Sequence, residues 1–303
     1  MNFIGYLNLY EGRPHMKTEE IIIRDPYVLS HEDKYYLYGT RSKSCWGEMD
    51  GFDCYVSADL DNWEGPFEIF RKEENFWADQ SYWAPECYYK EGSFYLVATL
   101  GAENRKKSVN LLKADSPLGP FHYCSQLTPS DRECIDGTIY EEDGYGYLVY
   151  SNTLQDTITG DMCAIQLSDD WESTIGDPFK LFAANDAKWA LPVPFAKSEF
   201  GIDGEAYFSD GPSLFKARNG NLVMLWSSWA GKGYSVGVAY SESGKIQGPW
   251  KHENKLLIEN GGHGMIFQKM DGNWNFSLHY PNDRYNEHPL FISISDGELP
   301  LEM

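Results

Sequence analysis

A strand-forming pattern recurs five times along the 303 residues, and it constrains the fold more than any other feature. Each copy begins at a Gly or Asp turn, continues with aromatic or apolar residues and ends near a small or hydroxyl-bearing residue. A run of this kind is typical of a strand that follows a tight turn. The copies are DKYYLYGT (33–40), GSFYLVAT (92–99), GYGYLVYS (144–151), GNLVMLWSS (220–228) and GNWNFSLHY (272–280). Recurrence along a whole chain indicates a repeat architecture.

A second apolar segment precedes every copy, so each pair is expected to form a β-hairpin. These segments are IIIRDPYVL (21–29), YWAPECYY (82–89), CIDGTIYEE (134–142), YFSDGPSLF (207–215) and GGHGMIF (261–267). The units are long enough for four-stranded blades, and no long stretch has the 3.6-residue period of a helix. We therefore predict an all-β fold, a five-bladed β-propeller, in a single domain over residues 1–303. Residues 1–12 are expected to add a closing strand to the last blade.

The acidic composition disfavours some classes of binding partner. The net charge is −21, from 46 acidic and 25 basic residues. A field of this sign repels phosphate backbones and anionic lipids, so we expect no nucleic-acid partner and no membrane partner. A neutral substrate fits better, although acidic charge also serves solubility alone. The sequence does not fix an oligomeric state.

The cysteines and the N-terminal segment bear on the compartment. The six cysteines include no CxxC pair, which favours small buried side chains over a disulfide scaffold, with a Cys45–Cys54 pair left open. The first residues show no basic segment followed by an apolar one, as a signal peptide would. This pattern predicts a cytoplasmic location.

Acidic residues fall at matching points of the first segment in three units. The residue before a Pro or Gly in the five segments is Asp25, Ala84, Asp136, Asp210 or His263. Because the innermost strands of a propeller line its axis, these side chains are expected to meet in one cavity. Glycoside hydrolysis needs one carboxylic acid and one carboxylate, and a third carboxylate can raise the pKa of the acid. Asp beside Gly or Pro is also a turn former, but three equivalent positions favour the catalytic interpretation.

Four further residues are candidates for binding. His263 lies among glycines, where it can hold a metal or polar network or be a core histidine. Trp83 adjoins an inner-strand turn and is predicted to line the cavity, and Trp46 is a second candidate platform for sugar rings. Arg284 follows the last repeat and is a candidate for binding sugar hydroxyls or a catalytic carboxylate.

The order and spacing of these motifs resemble glycoside hydrolase family 43, five-bladed propeller enzymes that act on arabinose- and xylose-containing glycans. The matching pieces are RDP (24–26), WAPE (83–86), IDG (135–137), DGPSLF (210–215), LWSS (225–228), GHG (262–264) and the PN…HP segment (281–289). The resemblance implies that Asp25 is the general base of an inverting mechanism and that Asp136 tunes the pKa of the acid. It also implies a central metal ion, usually Ca2+, beside His263, no organic cofactor, and a substrate-binding role for Arg284.

One position departs from the pattern of that family. Its general acid is usually Glu in a Glu-Gly-Pro motif, and here the motif begins with Asp210. The shorter side chain would hold its carboxyl about 1.5 Å further from the substrate. Three explanations stay open at this stage. Asp210 acts as the acid on a shifted backbone, Glu205 or Glu86 supplies the proton instead, or the chain is a non-catalytic carbohydrate-binding propeller.

The expected substrate is an oligosaccharide with α-L-arabinofuranoside or β-D-xyloside linkages, cut by exo action or as a short chain. Fructoside-cleaving family 32 propellers are a weaker alternative. RDP (24–26) and PEC (85–87) echo their motifs, but the Asn-Asp-Pro-Asn signature of the first blade is missing.

Overall fold

The computed structural model describes residues 14–217 and 219–294, and strands arranged in five antiparallel sheets dominate it. The first sheet has the order β1-β5-β4-β3-β2 and contains β1 (His15–Lys17), β2 (Ile23–His31), β3 (Lys34–Arg41), β4 (Gly51–Ser57) and β5 (Asn62–Arg71). The second contains β6 (Gln80–Lys90), β7 (Ser93–Ala102), β8 (Arg105–Ala114) and β9 (His122–Gln126). The third contains β10 (Cys134–Glu142), β11 (Tyr145–Asn152), β12 (Asp161–Leu167) and β13 (Thr174–Ala183).

The last two sheets complete the ring. The fourth contains β14 (Asp210–Lys216), β15 (Leu222–Ala230), β16 (Gly233–Ser241), β17 (Trp250–His252) and β18 (Ile258–Glu259). The fifth contains β19 (Gly262–Gln268), β20 (Trp274–Tyr280) and β21 (His288–Ser293). Helix is limited to α1 (Ala196–Phe200) and 3-10 turns at Thr18–Glu20, Ser42–Ser44 and Ala184–Asp186 within the described ranges. The predicted all-β five-bladed propeller is confirmed.

Each sheet buries its faces against the next one. The inner strands β2, β6, β10, β14 and β19 contact one another in that order, and β19 returns to β2. A separate apolar cluster fills each gap, such as the one that joins Tyr38 and Phe52 of the first sheet to Tyr82 and Leu96 of the second. Another joins Trp63 of the first sheet to side chains of the fifth. These five apolar clusters bury the apolar side chains on both faces of each sheet.

The five predicted hairpins are all present, and each inner strand carries the same irregularity. Two residues of the inner strand lie opposite one residue of its partner, as in a β-bulge. The first of the two has a positive φ: Asp25 (54°), Ala84 (46°), Asp136 (57°), Gly211 (51°) and His263 (47°). The prediction that Asp210 occupies the equivalent position of the fourth blade is therefore wrong by one residue.

The bulge leaves a backbone N–H that the strand ladder does not use. In four of the five blades a side chain on the second strand of the preceding blade accepts it, whereas the N–H of Gly211 donates to Asp136 on the inner strand β10. The N–H of Ala84 donates to Thr40 Oγ1 at 2.8 Å. The N–H of Asp136 donates to Thr99 Oγ1 at 2.9 Å. A hydroxyl near the end of a repeat thus ties one blade to the next at three of the five joins, from Thr40, Thr99 and Ser227.

The remaining fold predictions have different outcomes. Residues 1–12, the expected closing strand, lie outside the described residues, and β1 pairs with β5 of the first sheet. All six cysteines are free, and all but Cys124 are buried, as expected. Within the described ranges no helix is long and apolar enough to cross a membrane. That residues 1–303 form a single domain stays a prediction.

Candidate active site

Three side chains from separate blades meet where the inner strands begin. His263 Nδ1 of the fifth blade lies 3.3 Å from Asp25 Oδ1 of the first. The same nitrogen lies 3.5 Å from Asp136 Oδ2 of the third. The positive φ of each bulge turns these residues toward the axis, where each is at most 9% exposed. The structure therefore brings together three of the residues that the sequence predicted.

Asp25 is held as an ionised carboxylate. Thr40 Oγ1 donates to its Oδ2 at 2.6 Å, and the buried guanidinium of Arg24 is its chain neighbour. Burial by itself raises the pKa of Asp25. His263 and Arg24 outweigh that effect and hold the pKa below its ordinary value.

Around Asp136, the effects that raise the pKa outweigh those that lower it. The Oδ2 of Asp136 accepts the N–H of Gly211 at 3.3 Å. Burial, followed by the charges of Asp210 and Asp25, raises the pKa of Asp136 well above its ordinary value. These surroundings therefore favour the protonated form of this carboxyl group.

Asp210 lies one position before the bulge, opposite Ser227 of β15. It is less buried than Asp25 and Asp136, and the Tyr234 hydroxyl donates to its Oδ2 at 3.3 Å. Burial and the charge of Asp25 raise the pKa of Asp210 to about 7. A carboxylic acid with this pKa is protonated in mildly acidic solution and can still release its proton. That property suits a general acid.

His263 is neutral in this cluster, because burial lowers its pKa to about 4 against the attraction of Asp25. Its ring packs against Gly211, where an added Cβ would lie 2.7 Å from the His263 Cγ. The described residues contain no group of three or more His, Cys, Asp or Glu side chains that could hold a metal ion. Ca2+ takes six to eight oxygen ligands, so one imidazole does not make a calcium site by itself. The metal at His263 stays a prediction, and no chemical step is assigned to it.

The sequence analysis missed a buried network that surrounds Asp25. Arg24 Nη1 donates to Glu287 Oε1 at 2.6 Å and to Asn282 Oδ1 at 3.1 Å. Ser42 Oγ donates to the other oxygen of Glu287 at 2.6 Å, and Glu287 is 1% exposed. The RDP and PN…HP motifs contain Arg24, Asn282 and Glu287, but the contact of these residues across the ring is not visible in the sequence.

The sequence analysis also missed two residues beside Asp25 and Asp210, His279 and Tyr234. His279 accepts the N–H of Asp25 at Nδ1, 3.2 Å away, and its Nε2 lies 3.3 Å from Asn282 Oδ1. This pattern assigns the proton of His279 to Nε2. Its ring stacks on Tyr234 with centroids 5.5 Å apart and planes 3° apart. His279 stands where the other repeats have a hydroxyl residue, which was the available signal, whereas nothing in the sequence marks Tyr234.

The predicted substrate-binding residues form one wall beside this cluster. The rings of Trp46 and Trp83 meet edge to face at 5.6 Å, and Trp83 Nε1 donates to the Cys45 carbonyl at 2.7 Å. The guanidinium carbon of Arg284 lies 5.8 Å from the Trp46 ring centroid. Trp46 is 56% exposed, so its ring is available for stacking.

The two alternative acids lie elsewhere. Glu205 is exposed, and the Tyr207 hydroxyl donates a long hydrogen bond of 3.5 Å to its Oε2. Glu86 is buried two residues beyond its bulge, where Tyr88 donates to it, and burial raises its pKa to about 8. Asp210 is thus the better placed of the three candidates.

A ring of five sheets with carboxyl groups from three separate blades gathered near its axis defines the class of five-bladed propeller glycosidases. The family profile described as glycosyl hydrolases family 43 matches residues 20–291. The chain belongs to that family and is a glycoside hydrolase. A comparison with curated proteins finds no match.

Solved structures give the same assignment. An endo-arabinase from Bacteroides thetaiotaomicron is 32% identical, with a TM-score of 0.83 over 92% of this chain and 96% of that one. An endo-1,4-beta-xylanase from the same organism is 26% identical, with a TM-score of 0.71 over 93% and 95%. An alpha-L-arabinofuranosidase from Lactobacillus brevis is 18% identical, with a TM-score of 0.70 over 92% and 94%, which shows likeness of fold alone.

Proposed function

We propose that the chain is an inverting glycosidase that cleaves α-L-arabinofuranosidic linkages in oligosaccharides. The proposal is carried by the gathering of carboxyl groups from three blades at the start of the inner strands, where the pKa of Asp25 is lowered and the pKa of Asp210 is raised to about 7. Pairs of carboxyl groups whose surroundings separate their pKa values mark an acid and a base. The likeness to an endo-arabinase favours arabinofuranosides over β-D-xylosides, the second substrate class.

In the proposed mechanism, Asp25 is the general base. It takes a proton from a water molecule, whose oxygen bonds to the anomeric carbon as the glycosidic bond breaks. The Thr40 hydroxyl holds Oδ2 of Asp25, so the orientation of the carboxylate is fixed before the substrate binds. The Arg24 guanidinium, which Glu287 holds in place by an ion pair, favours the ionised form of Asp25.

Asp210 is the proposed general acid. Its proton passes to the leaving oxygen, so one proton enters Asp25 and one leaves Asp210 in each turnover. Asp136 stands between them, in contact with the backbone of Gly211 and with His263. We propose that Asp136, in its protonated form, and neutral His263 orient the two reacting carboxyl groups. Neither of them adds a second negative charge beside Asp25. The predicted cytoplasmic location and the short length of the substrate belong to the same proposal.

The test is release of 4-nitrophenol from a panel of 4-nitrophenyl glycosides by the wild type and Asp25→Asn. We expect turnover of the α-L-arabinofuranoside, reduced about 10²- to 10⁴-fold in the variant, because general base catalysis contributes that much. Asp33→Asn is the matched control, since Asp33 is an exposed turn residue with a positive φ that Asn tolerates. Equal turnover by Asp25→Asn would reject the assigned base. No turnover of any substrate by the wild type would favour the non-catalytic carbohydrate-binding propeller.

A further inference from the structure

A cavity of about 460 Å³ lies between the second and third blades. Gln80 and Ser81 at the start of β6 form one side, and the hairpin from β7 to β8 (102–107) forms another. Glu133 and Gln155, at the start of β10 and after the end of β11, close it. Because β7 and β11 run antiparallel to the inner strands β6 and β10, they end on the face of the propeller where the inner strands begin. All these segments therefore lie on that face. The cavity therefore opens on the same face as Asp25 and Asp136.

The cavity is joined to the wall formed by Trp46 and Trp83. Glu48 forms a β-bridge with Gln80, and the N–H of Met49 donates to the Asp79 carbonyl at 2.8 Å. Ser81 is three residues before Ala84, which is about 10 Å of strand. A glycan that crosses Trp46 and Trp83 would reach the cavity within a few sugar units of the cleaved bond.

The walls of the cavity are held in place. The N–H of Asp79 donates to the Gly101 carbonyl at 3.1 Å, and the N–H of Thr153 donates to the Glu133 carbonyl at 2.9 Å. Lys107 Nζ contacts Glu133 Oε2 at 3.0 Å and donates to Gln155 Oε1 at 3.2 Å, so it links the two blades. A preformed polar concavity loses little entropy when a ligand binds.

The charges around the cavity balance. Arg105, Lys106 and Lys107 face the carboxylates of Glu103, Glu133 and the adjoining Asp156. Lys106 pairs with Asp156, and Arg105 donates to Gln126 while its guanidinium lies 3.8 Å from the centroid of the Trp77 ring. An anion would have to displace these partners. Hydroxyl groups can use the remaining donors and acceptors of Gln80, Asn104 and Gln155 without breaking an ion pair.

We propose that this cavity is a distal subsite that binds a neutral sugar unit of the glycan, away from the cleaved bond. The proposal rests on the proposed function and adds a residue set that determines preference for longer chains. Binding energy gained there is available only to oligosaccharides that span from the carboxylates to the cavity. Small aryl glycosides do not reach it.

Binding measurements in the Asp25→Asn background separate this subsite from catalysis. We would titrate arabinobiose and arabinohexaose by calorimetry into Asp25→Asn alone and into Asp25→Asn with Glu103→Ala and Asn104→Ala. Both added positions are exposed and lie in a turn, so folding should not depend on them. We expect the double change to weaken binding of the hexaose about 3- to 10-fold, the loss of one or two hydrogen bonds to sugar hydroxyls, and to leave the biose unchanged. Gln155→Ala, on the opposite wall, should act in the same direction.

The matched control is Glu253→Ala with Asn254→Ala, the same residue types in an exposed segment of the fourth blade. This control should change neither affinity. Equal affinities for hexaose and biose, or a hexaose affinity that the cavity variants leave unchanged, would overturn the subsite. Tighter binding of a uronate-bearing oligosaccharide than of the neutral one would overturn its assignment to a neutral sugar. Arabinofuranoside hydrolysis by the wild type is measured separately, so failure of the proposed function is distinguished from failure of the subsite.

Discussion

Asp25, Asp136 and Asp210 are the same side chain in three surroundings, and the surroundings set their protonation. Asp25 has a threonine hydroxyl and cationic or imidazole neighbours, so it stays ionised despite burial. Asp136 and Asp210 are buried near that negative charge, which favours their protonated forms. One ionised base and one protonated acid can therefore coexist across a range of mildly acidic pH values.

The raised pKa of Asp210 predicts the alkaline side of the pH profile. Asp210 donates only when protonated, so kcat/KM should fall as the pH rises through about 7. The hydrogen bond from Tyr234 lowers the pKa of Asp210, so Tyr234→Phe should move this decline to higher pH. The measurement is kcat/KM between pH 4 and pH 9 for both proteins, with Tyr240→Phe on the same strand as the control. A shift to lower pH in Tyr234→Phe would contradict the assignment.

Removing the acid should matter most for poor leaving groups. Nitrophenolate leaves without full protonation, whereas a sugar alcohol needs a proton. Asp210→Ala should therefore lower kcat/KM for arabino-oligosaccharides about 10²- to 10⁴-fold and lower it much less for the 4-nitrophenyl arabinofuranoside. Comparing the two substrates in one assay checks this. Equal losses on both would show that Asp210 positions the substrate or the fold and does not donate the proton.

At the scale of strands, the bulge at the start of each inner strand connects stability with catalysis. Thr40 and Thr99 occupy equivalent positions and are almost fully buried. Each accepts the bulge N–H of the next blade, but only Thr40 also donates to the proposed base, Asp25. The repeat hydroxyl thus has a structural role in both blades and an added electrostatic role in one.

Thr40→Val and Thr99→Val separate these roles. Each should cost about 1–3 kcal/mol of unfolding free energy, because a buried N–H loses its acceptor. Thr40→Val should also raise the pKa of Asp25, so the acidic limb of kcat/KM moves to higher pH, whereas Thr99→Val should leave that limb in place. Urea unfolding and pH profiles of both variants provide the measurement. Identical pH profiles would show that the hydroxyl of Thr40 does not tune the base.

The sequence predicted what local pattern determines. Turns, alternating strands and the residues beside Pro or Gly gave the five hairpins and marked Asp25, Asp136 and His263, which occupy equivalent bulges in the structure. In the fourth blade, Asp210-Gly211-Pro212 offers two residues that precede a Gly or Pro, and the register that selects Gly211 is set by pairing with β15. Arg24, Tyr234, His279 and Glu287 act through contacts between blades, which no local pattern specifies.

At the scale of the whole molecule, side chains from the first and fifth blades close the ring beside the proposed active site. Arg24 and Ser42 of the first blade both bind Glu287, which follows β20 of the fifth. Ser277 of β20 donates to the Pro26 carbonyl at 3.0 Å. The contacts around Arg24 thus serve two purposes. They favour the ionised form of Asp25, and they connect the first blade to the fifth.

Breaking that ion pair should destabilise the whole propeller. Glu287→Gln leaves the Arg24 guanidinium without its buried counterion, which typically costs about 3–5 kcal/mol. The control is Glu259→Gln, which removes the exposed partner of Lys232 and should cost less than about 1 kcal/mol. Urea unfolding followed by tryptophan fluorescence compares the two. Equal stability of both variants would show that the buried pair does not hold the ring closed.

The central claim is that two carboxyl groups on separate blades, Asp25 and Asp210, hydrolyse an arabinofuranosidic bond with inversion. Proton NMR of an arabino-oligosaccharide mixed with the wild-type protein tests it most directly, because the anomer released first is seen before mutarotation. We predict that the β-anomer of arabinofuranose appears first and that Asp25→Asn releases none on the same time scale. Release of the α-anomer first, or undiminished release by Asp25→Asn, would contradict the account.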